Sequence, residues 1–322
     1  MDLEKKNDIE AIESFVAKYK TLREEIAKVI VGQDDVVKNV LMAMFSRSHA
    51  LLIGVPGLAK TLMITTIAKA VDMSYNRIQF TPDLMPSDIM GAEILDDNRN
   101  FKFVKGPIFA NIVLADEINR TPPKTQAALL EAMQEKCITV SGKTYKLQEP
   151  FFVLATQNPI EQEGTYPLPE AQLDRFMFNL MLDYPSYEEE INIVKSTTIG
   201  NVAEVNAVLS PEEILYFQQL VRRVPVPDNV YEYAVNLVAK TRPHTEKAHD
   251  WANRYLSWGA GPRASQYLII GAKANALLMG KYSPDIEDVQ RVAVPILRHR
   301  IIRNYTAEAE GISIEDIIKQ LQ

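Results

Sequence analysis

The chain has 322 residues, a formal net charge of −7 and 47% hydrophobic residues, as expected of a globular protein large enough for two domains. The acidic balance argues against a dedicated nucleic-acid-binding protein, which is normally basic, although a local basic channel is compatible with it. A single cysteine excludes a disulfide framework, and the scattered histidines lack metal-ligand spacing. No apolar run is long enough to span a membrane and the first residues do not resemble a signal peptide, so we expect a cytoplasmic protein.

Two helical patterns open the chain, at residues 8–30 and 34–46, and Val31 and Gly32 lie in the break between them. Such a break can be an ordinary helix–helix turn. Upstream of a phosphate-binding loop, however, it suits a turn that packs on an adenine ring. Val31 and Gly32 are therefore candidate nucleotide-binding residues, and the choice depends on the segment that follows.

That segment resembles the phosphate-binding loop pattern G-x-x-x-x-G-K-[ST] between a short buried strand and a helix. Glycines let the backbone curl around an anion, and the helix N-terminus adds positive potential. A lysine here reaches the β- and γ-phosphates and a threonine hydroxyl ligates Mg²⁺. The candidate nucleotide-binding residues are Gly54, Val55, Pro56, Gly57, Leu58, Ala59, Lys60, Thr61 and Leu62.

One position departs from the pattern, because Ala59 stands where the second glycine is expected. Alanine is disfavoured at positive φ. Either the loop adopts a conformation that alanine tolerates, or the segment is only a tight turn between a strand and a helix.

Residues 81–110 contain early prolines and an alternating stretch, which predict an inserted loop and hairpin rather than a helix. The apolar run 111–115 then predicts a buried parallel strand that ends at Asp116 and Glu117. Beside a phosphate loop, Asp116 could hold Mg²⁺ and Glu117 could polarise the attacking water. Alternatively, both are ordinary capping acids at a helix start.

The next strands carry two further candidates. A helix is predicted at 122–135, a hairpin at 138–147 and a buried strand at 151–156. Asn158 follows that strand; its amide can donate and accept hydrogen bonds and so orient water, or it begins a turn before Pro159. Arg175, next to Asp174, is either an ion-pair partner or a cation that faces the nucleotide of a neighbouring subunit.

After a last strand near residues 180–182 the pattern becomes helical, so we predict an α/β domain at 1–184 and a helical domain at 185–322. Arg263 lies in the first turn of a predicted helix, where a cation is unfavourable unless it contacts an anion. Pro295 is predicted to open a final segment whose basic cluster, Arg298–Arg303, either touches the nucleotide domain or is a solvated face.

Five segments in order, GVPGLAKT, VLADEINR, LLEAMQE, ATQNP and EGTYPLPEAQLDRF, resemble the MoxR family of AAA+ ATPases. The resemblance spans nearly the whole chain and includes a lid segment with GPRAS. It implies a P-loop NTPase fold: a parallel sheet sandwiched by helices, followed by an all-α lid. The departure from the loop pattern at Ala59 is similar to what sequences of this family show.

The resemblance implies specific roles. Lys60 and Thr61 become Walker A residues, Asp116 and Glu117 Walker B, Asn158 sensor 1, Arg175 the arginine finger and Arg263 sensor 2. It also implies ATP and Mg²⁺ as cofactors, a homo-oligomeric ring, typically a hexamer, and a chaperone-like role with a von Willebrand factor A-domain partner.

Three other readings stay open at this point. The chain could be a magnesium-chelatase-like ATPase subunit or a nucleotide-gated scaffold with negligible turnover. A nucleic-acid motor is a further alternative, which the acidic balance disfavours.

Overall fold

The computed structural model describes residues 8–95, 97, 100–160, 164–198 and 203–322. Residues 161–163, which include the first residue of the segment EGTYPLPEAQLDRF, and three positions of the predicted insert 81–110 lie outside the described residues. The chain forms two compact units. The sheet unit comprises Lys20–Phe176 and Leu180–Leu215, and the helical unit comprises the described part of Met1–Tyr19 together with Met177–Asn179 and Tyr216–Gln322. The domain boundary after residue 184 stays a prediction.

The strands are β1 (Ala50–Gly54), β2 (Tyr75–Gln79), β3 (Gly91–Leu95), β4 (Phe101–Lys105), β5 (Ile112–Asp116), β6 (Cys137–Val140), β7 (Lys143–Lys146), β8 (Phe152–Gln157), β9 (Phe178–Leu182), β10 (Leu256–Trp258) and β11 (Ile302–Arg303). The helices are α1 (Asp8–Ala27), α2 (Asp34–Phe45), α3 (Lys60–Ala70), α4 (Pro86–Met90), α5 (Pro123–Glu135), α6 (Glu170–Leu173), α7 (Tyr187–Thr198), α8 (Pro211–Arg223), α9 (Asp228–Lys240), α10 (Asp250–Tyr255), α11 (Pro262–Leu278), α12 (Ile286–Leu297), α13 (Tyr305–Ala309) and α14 (Ile314–Leu321).

The central sheet has the strand order β2-β5-β8-β1-β9. β1 pairs with β8, β8 with β5 and β5 with β2, all in parallel, so the carboxyl ends of these four strands meet at one edge. β5 is buried along its whole length, as its continuous apolar sequence predicts. The predicted α/β fold with a parallel sheet and a following helical segment is therefore confirmed.

Two hairpins extend from the sheet unit. β3 pairs with β4 and β6 pairs with β7, and the hairpins stack Phe103 on Tyr145 with ring centroids 4.0 Å apart. The hairpin predicted within 81–110 is observed as β3 and β4, but the segment also contains the short helix α4, which was not predicted. Its N-terminus is fixed locally: Pro86 occupies the first helical position, and the Asp88 carboxylate accepts a hydrogen bond of 2.8 Å from the Met85 N–H. A helix of this length is too short to produce a readable periodicity.

In the helical unit, α11 packs against α9 and α12. Pro295 does not open a new segment as predicted; it lies inside the last turn of α12. A proline there removes one helical hydrogen bond and its ring crowds the carbonyl group of the preceding turn, a cost that the packing of α12 offsets. Among the described residues, no helix combines the length and apolar character needed to cross a membrane.

The basic cluster after α12 has structural partners inside the helical unit. Arg298 pairs with Glu315 at 2.5 Å and donates to the Asn179 carbonyl at 2.8 Å. Arg300 is buried, with its guanidinium 4.9 Å from the centre of the Tyr267 ring. The cluster is therefore not a solvated face.

Candidate nucleotide site

The loop between β1 and α3 holds a backbone conformation suited to an anion. Gly57 has φ +88° and Ala59, the N-cap residue of α3, has φ 55° and ψ 25°, in the left-handed region that favours glycine. No side chain of the described chain caps α3, and its first turn contains no acidic residue. The first N–H groups of α3 therefore lack the usual side-chain acceptor, and an anion can take that place.

Lys60 begins α3 and lies close to acidic side chains. Its ammonium group donates a hydrogen bond of 2.7 Å to the carbonyl of Gly54, the first residue of the loop. Partial burial lowers the pKa of Lys60, while the negative charges of Asp116 and Glu117 act in the opposite direction. Lys60 and both acidic residues are therefore close enough to interact electrostatically.

Asp116 lies at the carboxyl end of β5 and is buried. Thr156, from the end of β8, donates 2.6 Å to one carboxylate oxygen of Asp116. Arg77, from β2, donates 2.6 Å to the other oxygen. The neighbouring strands thus fix the orientation of this carboxylate.

Glu117 follows directly, with φ 57°. Its N–H donates 2.9 Å to the Thr156 hydroxyl, so one threonine side chain links both acidic residues. The Gln79 amide donates 2.9 Å to Oε2 of Glu117, and Arg120 contacts the same oxygen at 3.2 Å. Both of these contacts are made to Oε2 of Glu117 rather than to Oε1.

Asn158, two residues beyond Thr156, is buried. Its Oδ1 accepts a hydrogen bond of 3.1 Å from the Ile160 N–H, which fixes the side chain locally. Its Nδ2 has no hydrogen-bond partner in the described part of the chain. A buried donor without an acceptor is unfavourable, so an oxygen of a bound ligand or water would recover the lost hydrogen bond.

An apolar cleft of about 130 Å³ adjoins the loop. Val31 lines it together with loop and α3 residues Gly57, Leu58, Ala59 and Leu62, and Ile193 of α7 lies on it as well. Gly32 does not line this cleft. It has φ +74°, and a Cβ at this position would lie 2.5 Å from the Glu189 carboxyl carbon, so α7 packs closely on this turn.

The two remaining candidates lie elsewhere. Arg175 follows the C-cap residue of α6 in the sheet unit and is half-buried. Arg263 lies in the first turn of α11 in the helical unit, as predicted. The roles of both residues in a nucleotide site stay predictions.

Sequence reasoning missed Arg77, Gln79 and Thr156. The first two alternate along β2, and Gln79 is directly opposite Asp116 in the register with β5. Polar residues two apart at the end of a strand point to one face of the sheet, a signal that becomes readable only once the strand order is known.

The donor set suits a hard cation. Thr61 and Asp116 offer oxygen ligands, and no cluster of three or more His, Cys, Asp or Glu side chains that could hold a metal occurs among the described residues. Magnesium commonly takes one or two protein oxygens plus water and phosphate oxygens rather than a full protein cage. Since both Asp116 oxygens already accept hydrogen bonds, its contact with a hydrated ion is the natural arrangement.

The chain matches two family models: the ATPase family associated with various cellular activities (AAA) at residues 49–178, and the AAA lid domain at residues 249–321. It is 42% identical over 298 residues to Chaperone MoxR1 of Mycobacterium tuberculosis, covering 92% of this chain and 79% of the relative. It is 26% identical over 310 residues to Protein MoxR of Methylorubrum extorquens, covering 86% and 85%.

A crystal structure of a Cytophaga hutchinsonii protein assigned as an ATPase superposes with a TM-score of 0.91. The two chains are 44% identical, and the match covers 97% of this chain and 95% of the other. Sequence relatives and fold agree, and this chain belongs to the MoxR family of AAA+ ATPases.

Proposed function

We propose that the protein hydrolyses ATP with Mg²⁺ and couples turnover to the remodelling of partner proteins. The observation that carries the proposal is that the parallel strands β1, β8 and β5 bring the uncapped start of α3, with Lys60, to the same sheet edge as Asp116 and Glu117. A relative named as a chaperone supports the remodelling role. Assembly as a ring, typically a hexamer, a von Willebrand factor A-domain partner and a cytoplasmic location are further parts of the proposal.

The first step is binding. The N–H groups at the start of α3 and the Lys60 ammonium bind the phosphates, and the apolar cleft beside Val31 accepts the base. On binding, Lys60 exchanges its hydrogen bond to the Gly54 carbonyl for phosphate oxygens. Thr61 and Asp116 would hold Mg²⁺, which neutralises phosphate charge when bound.

The second step is activation of water. Oε1 of Glu117 accepts its proton while Gln79 and Arg120 hold Oε2. The Nδ2 donor of Asn158 orients the water or a γ-phosphate oxygen. Arg175 from a neighbouring subunit stabilises charge on the transferring phosphoryl group.

The Glu117→Gln variant tests this assignment. It keeps the shape of the side chain but removes the base, so we expect ATP binding within twofold of wild type and hydrolysis slower by about 10²–10⁴. Glu135→Gln, a matched change at an exposed position of α5, should leave both unchanged. Lys60→Ala should lose ATP binding measured by titration calorimetry.

Two results would contradict the proposal. Unchanged hydrolysis in Glu117→Gln would remove this residue as the base. ATP binding by the wild-type protein without turnover, at concentrations where it assembles, would instead indicate a nucleotide-gated scaffold.

A further inference from the structure

The β6–β7 hairpin has two different outer edges. It closes through Ser141 and Gly142, and the Leu147 N–H donates 2.9 Å to the Lys136 carbonyl. Because hydrogen-bonded and non-hydrogen-bonded pairs alternate in an antiparallel ladder, Ile138 and Val140 bond to β7. Cys137 and Thr139 therefore direct their backbone N–H and C=O groups away from β7, toward the open edge of β6.

No strand pairs with that open edge in the part of the chain that the structure describes. The two edges also differ in protection. β7, with the sequence KTYK, carries two lysines, the residue that most often protects an exposed edge from pairing. β6, with the sequence CITV, carries no charge and no proline. The sequence thus blocks strand addition at β7 and permits it at β6.

A cleft of about 220 Å³ runs between this open edge and α5. On the α5 side the cleft is lined by the small side chains of Ala127, Ala128 and Ala132. Pro86 and Met90 of α4 also line it. Cys137 and Thr139 also line this cleft. A strand edge facing a helix across an apolar groove is the arrangement by which several domains bind extended peptides.

Charges define the ends of the groove. Lys124 and Glu131 both line the cleft and are exposed. They lie seven residues apart on α5, about 10 Å along the helix axis. This separation corresponds to about three residues of an extended chain.

We propose that this cleft binds an extended peptide segment of a partner protein, added as a strand to the open edge of β6. Its backbone pairs with Cys137 and Thr139, and small apolar side chains fill the alanine-walled groove. An acidic residue meets Lys124, and a basic residue two or four positions away, on the same face of the added strand, meets Glu131. The inference is independent of the nucleotide chemistry, since none of these residues belongs to the phosphate site.

The binding test starts from a displayed library of random nine-residue peptides selected against the full-length protein. We expect enriched peptides with an acidic and a basic residue two or four positions apart, on one face of the strand, among small apolar residues. Synthetic versions should bind in fluorescence anisotropy, and N-methylation of the backbone amides that pair with β6 should weaken them at least tenfold. Failure to enrich this pattern would overturn the proposal.

Proline variants locate the bound strand. Thr139→Pro removes the outward N–H of β6, and we expect at least tenfold weaker peptide binding. Thr144→Pro is its matched control: Thr144 is opposite Thr139, so its N–H points to the other edge of the same hairpin. It should bind within twofold of wild type. Equal losses in both variants would contradict strand addition at β6.

A charge reversal avoids any question of hairpin folding. Lys124→Glu, on the exposed surface of α5, should change the selected residue at the paired position from acidic to basic, with ATP hydrolysis unchanged. Lys60→Ala should still bind peptide. Selection that is indifferent to the charge at position 124 would refute the proposed orientation, and these readouts separate the groove from the ATP site.

Cys137, the single cysteine of the chain, reports on the occupant. We expect the selected peptide to slow its reaction with a thiol reagent at least tenfold. If the reaction instead slows with rising protein concentration in the absence of peptide, a second copy covers the groove, and the proposal of a partner peptide is wrong.

Discussion

The starts of α3 and of α12 show how differently one chain treats its helix N-termini. In the helical unit, Asp285 caps α12, accepting a hydrogen bond of 3.1 Å from the Asp288 N–H, and two further acids occupy its first turn. In the sheet unit, α3 has Ala59 as its N-cap residue, without a side-chain cap, and Lys60 in its first turn. The start of α12 therefore contains its own acceptors, whereas the start of α3 leaves its N–H groups open to a ligand.

The largest expected effect is on the rate of ATP hydrolysis and concerns Arg175, the cation proposed to come from a neighbouring subunit. Arg175→Ala should slow ATP hydrolysis about 10³–10⁵-fold while ATP still binds, because an arginine supplied in trans stabilises the transferring charge. Mixing this variant with Glu117→Gln is the sharper measurement. A Glu117→Gln subunit still lends Arg175 to a neighbour that retains Glu117, so activity should reappear in the mixture. Mixtures as inactive as their parts would show that Arg175 does not act between subunits.

A second prediction concerns a buried polar side chain that, unlike Asn158, has partners for its polar atoms, and it concerns the pH dependence of stability. His49 is buried in the sheet unit and uses both ring nitrogens: Nδ1 accepts from the Val153 N–H at 3.0 Å, and Nε2 lies 3.2 Å from the Met133 carbonyl. Burial lowers the pKa of His49 to about 4. The His49 imidazole is therefore protonated below about pH 6.5 in the unfolded chain, but only below about pH 4 in the folded chain.

The contribution of neutral, buried His49 to the free energy of unfolding is fully present above pH 6.5 and is lost as the pH falls from 6.5 to 4. The loss from His49 amounts to about 3 kcal/mol of unfolding free energy. Urea unfolding at several pH values measures it, with His49→Gln as the variant that lacks the pH dependence. The slope should be the same with and without ATP analogue, since His49 bonds to backbone groups of the core and packs beside the rings of Phe151 and Phe152. A wild-type slope no steeper than that of His49→Gln would contradict the assignment.

The sequence predicted the features that depend on neighbouring residues and missed those that depend on segments distant in the chain. The buried strands and α3, and with them the positions of Lys60, Asp116 and Glu117 at strand and helix ends, were predictable because apolar runs and the loop pattern are local signals. The ion pair of Arg77 with Asp116 and the double contact of Thr156 were not, because both depend on the order β2-β5-β8 of strands distant in sequence. Pro295 was misjudged for a related reason: packing of α12 outweighs a local helix-breaking preference.

A third prediction concerns a variant in which the first turn of α3 contains an acidic residue, as the first turn of α12 does. Leu62→Glu places an acid near the exposed start of α3, where it should stabilise the ligand-free protein by about 0.3–1 kcal/mol. The same charge repels phosphate, so ATP should bind several-fold more weakly. Leu62→Gln is the neutral control for the lost apolar contact. If both variants weaken ATP equally, the charge at this helix start is irrelevant to binding.

The smallest expected effect separates backbone strain from ligand contact within the loop. Ala59 has φ 55° and Gly57 has φ +88°, and a Cβ at Gly57 would meet nothing within 4 Å. Ala59→Gly should therefore stabilise the protein by less than about 1 kcal/mol, because relief of the left-handed strain exceeds the added flexibility of the unfolded chain only slightly. Gly57→Ala should destabilise it by about 1 kcal/mol from backbone strain alone. Thermal unfolding of the pair measures both signs. If Ala59→Gly lowers stability, the left-handed conformation at Ala59 is not strained, and the loop tolerates alanine without cost.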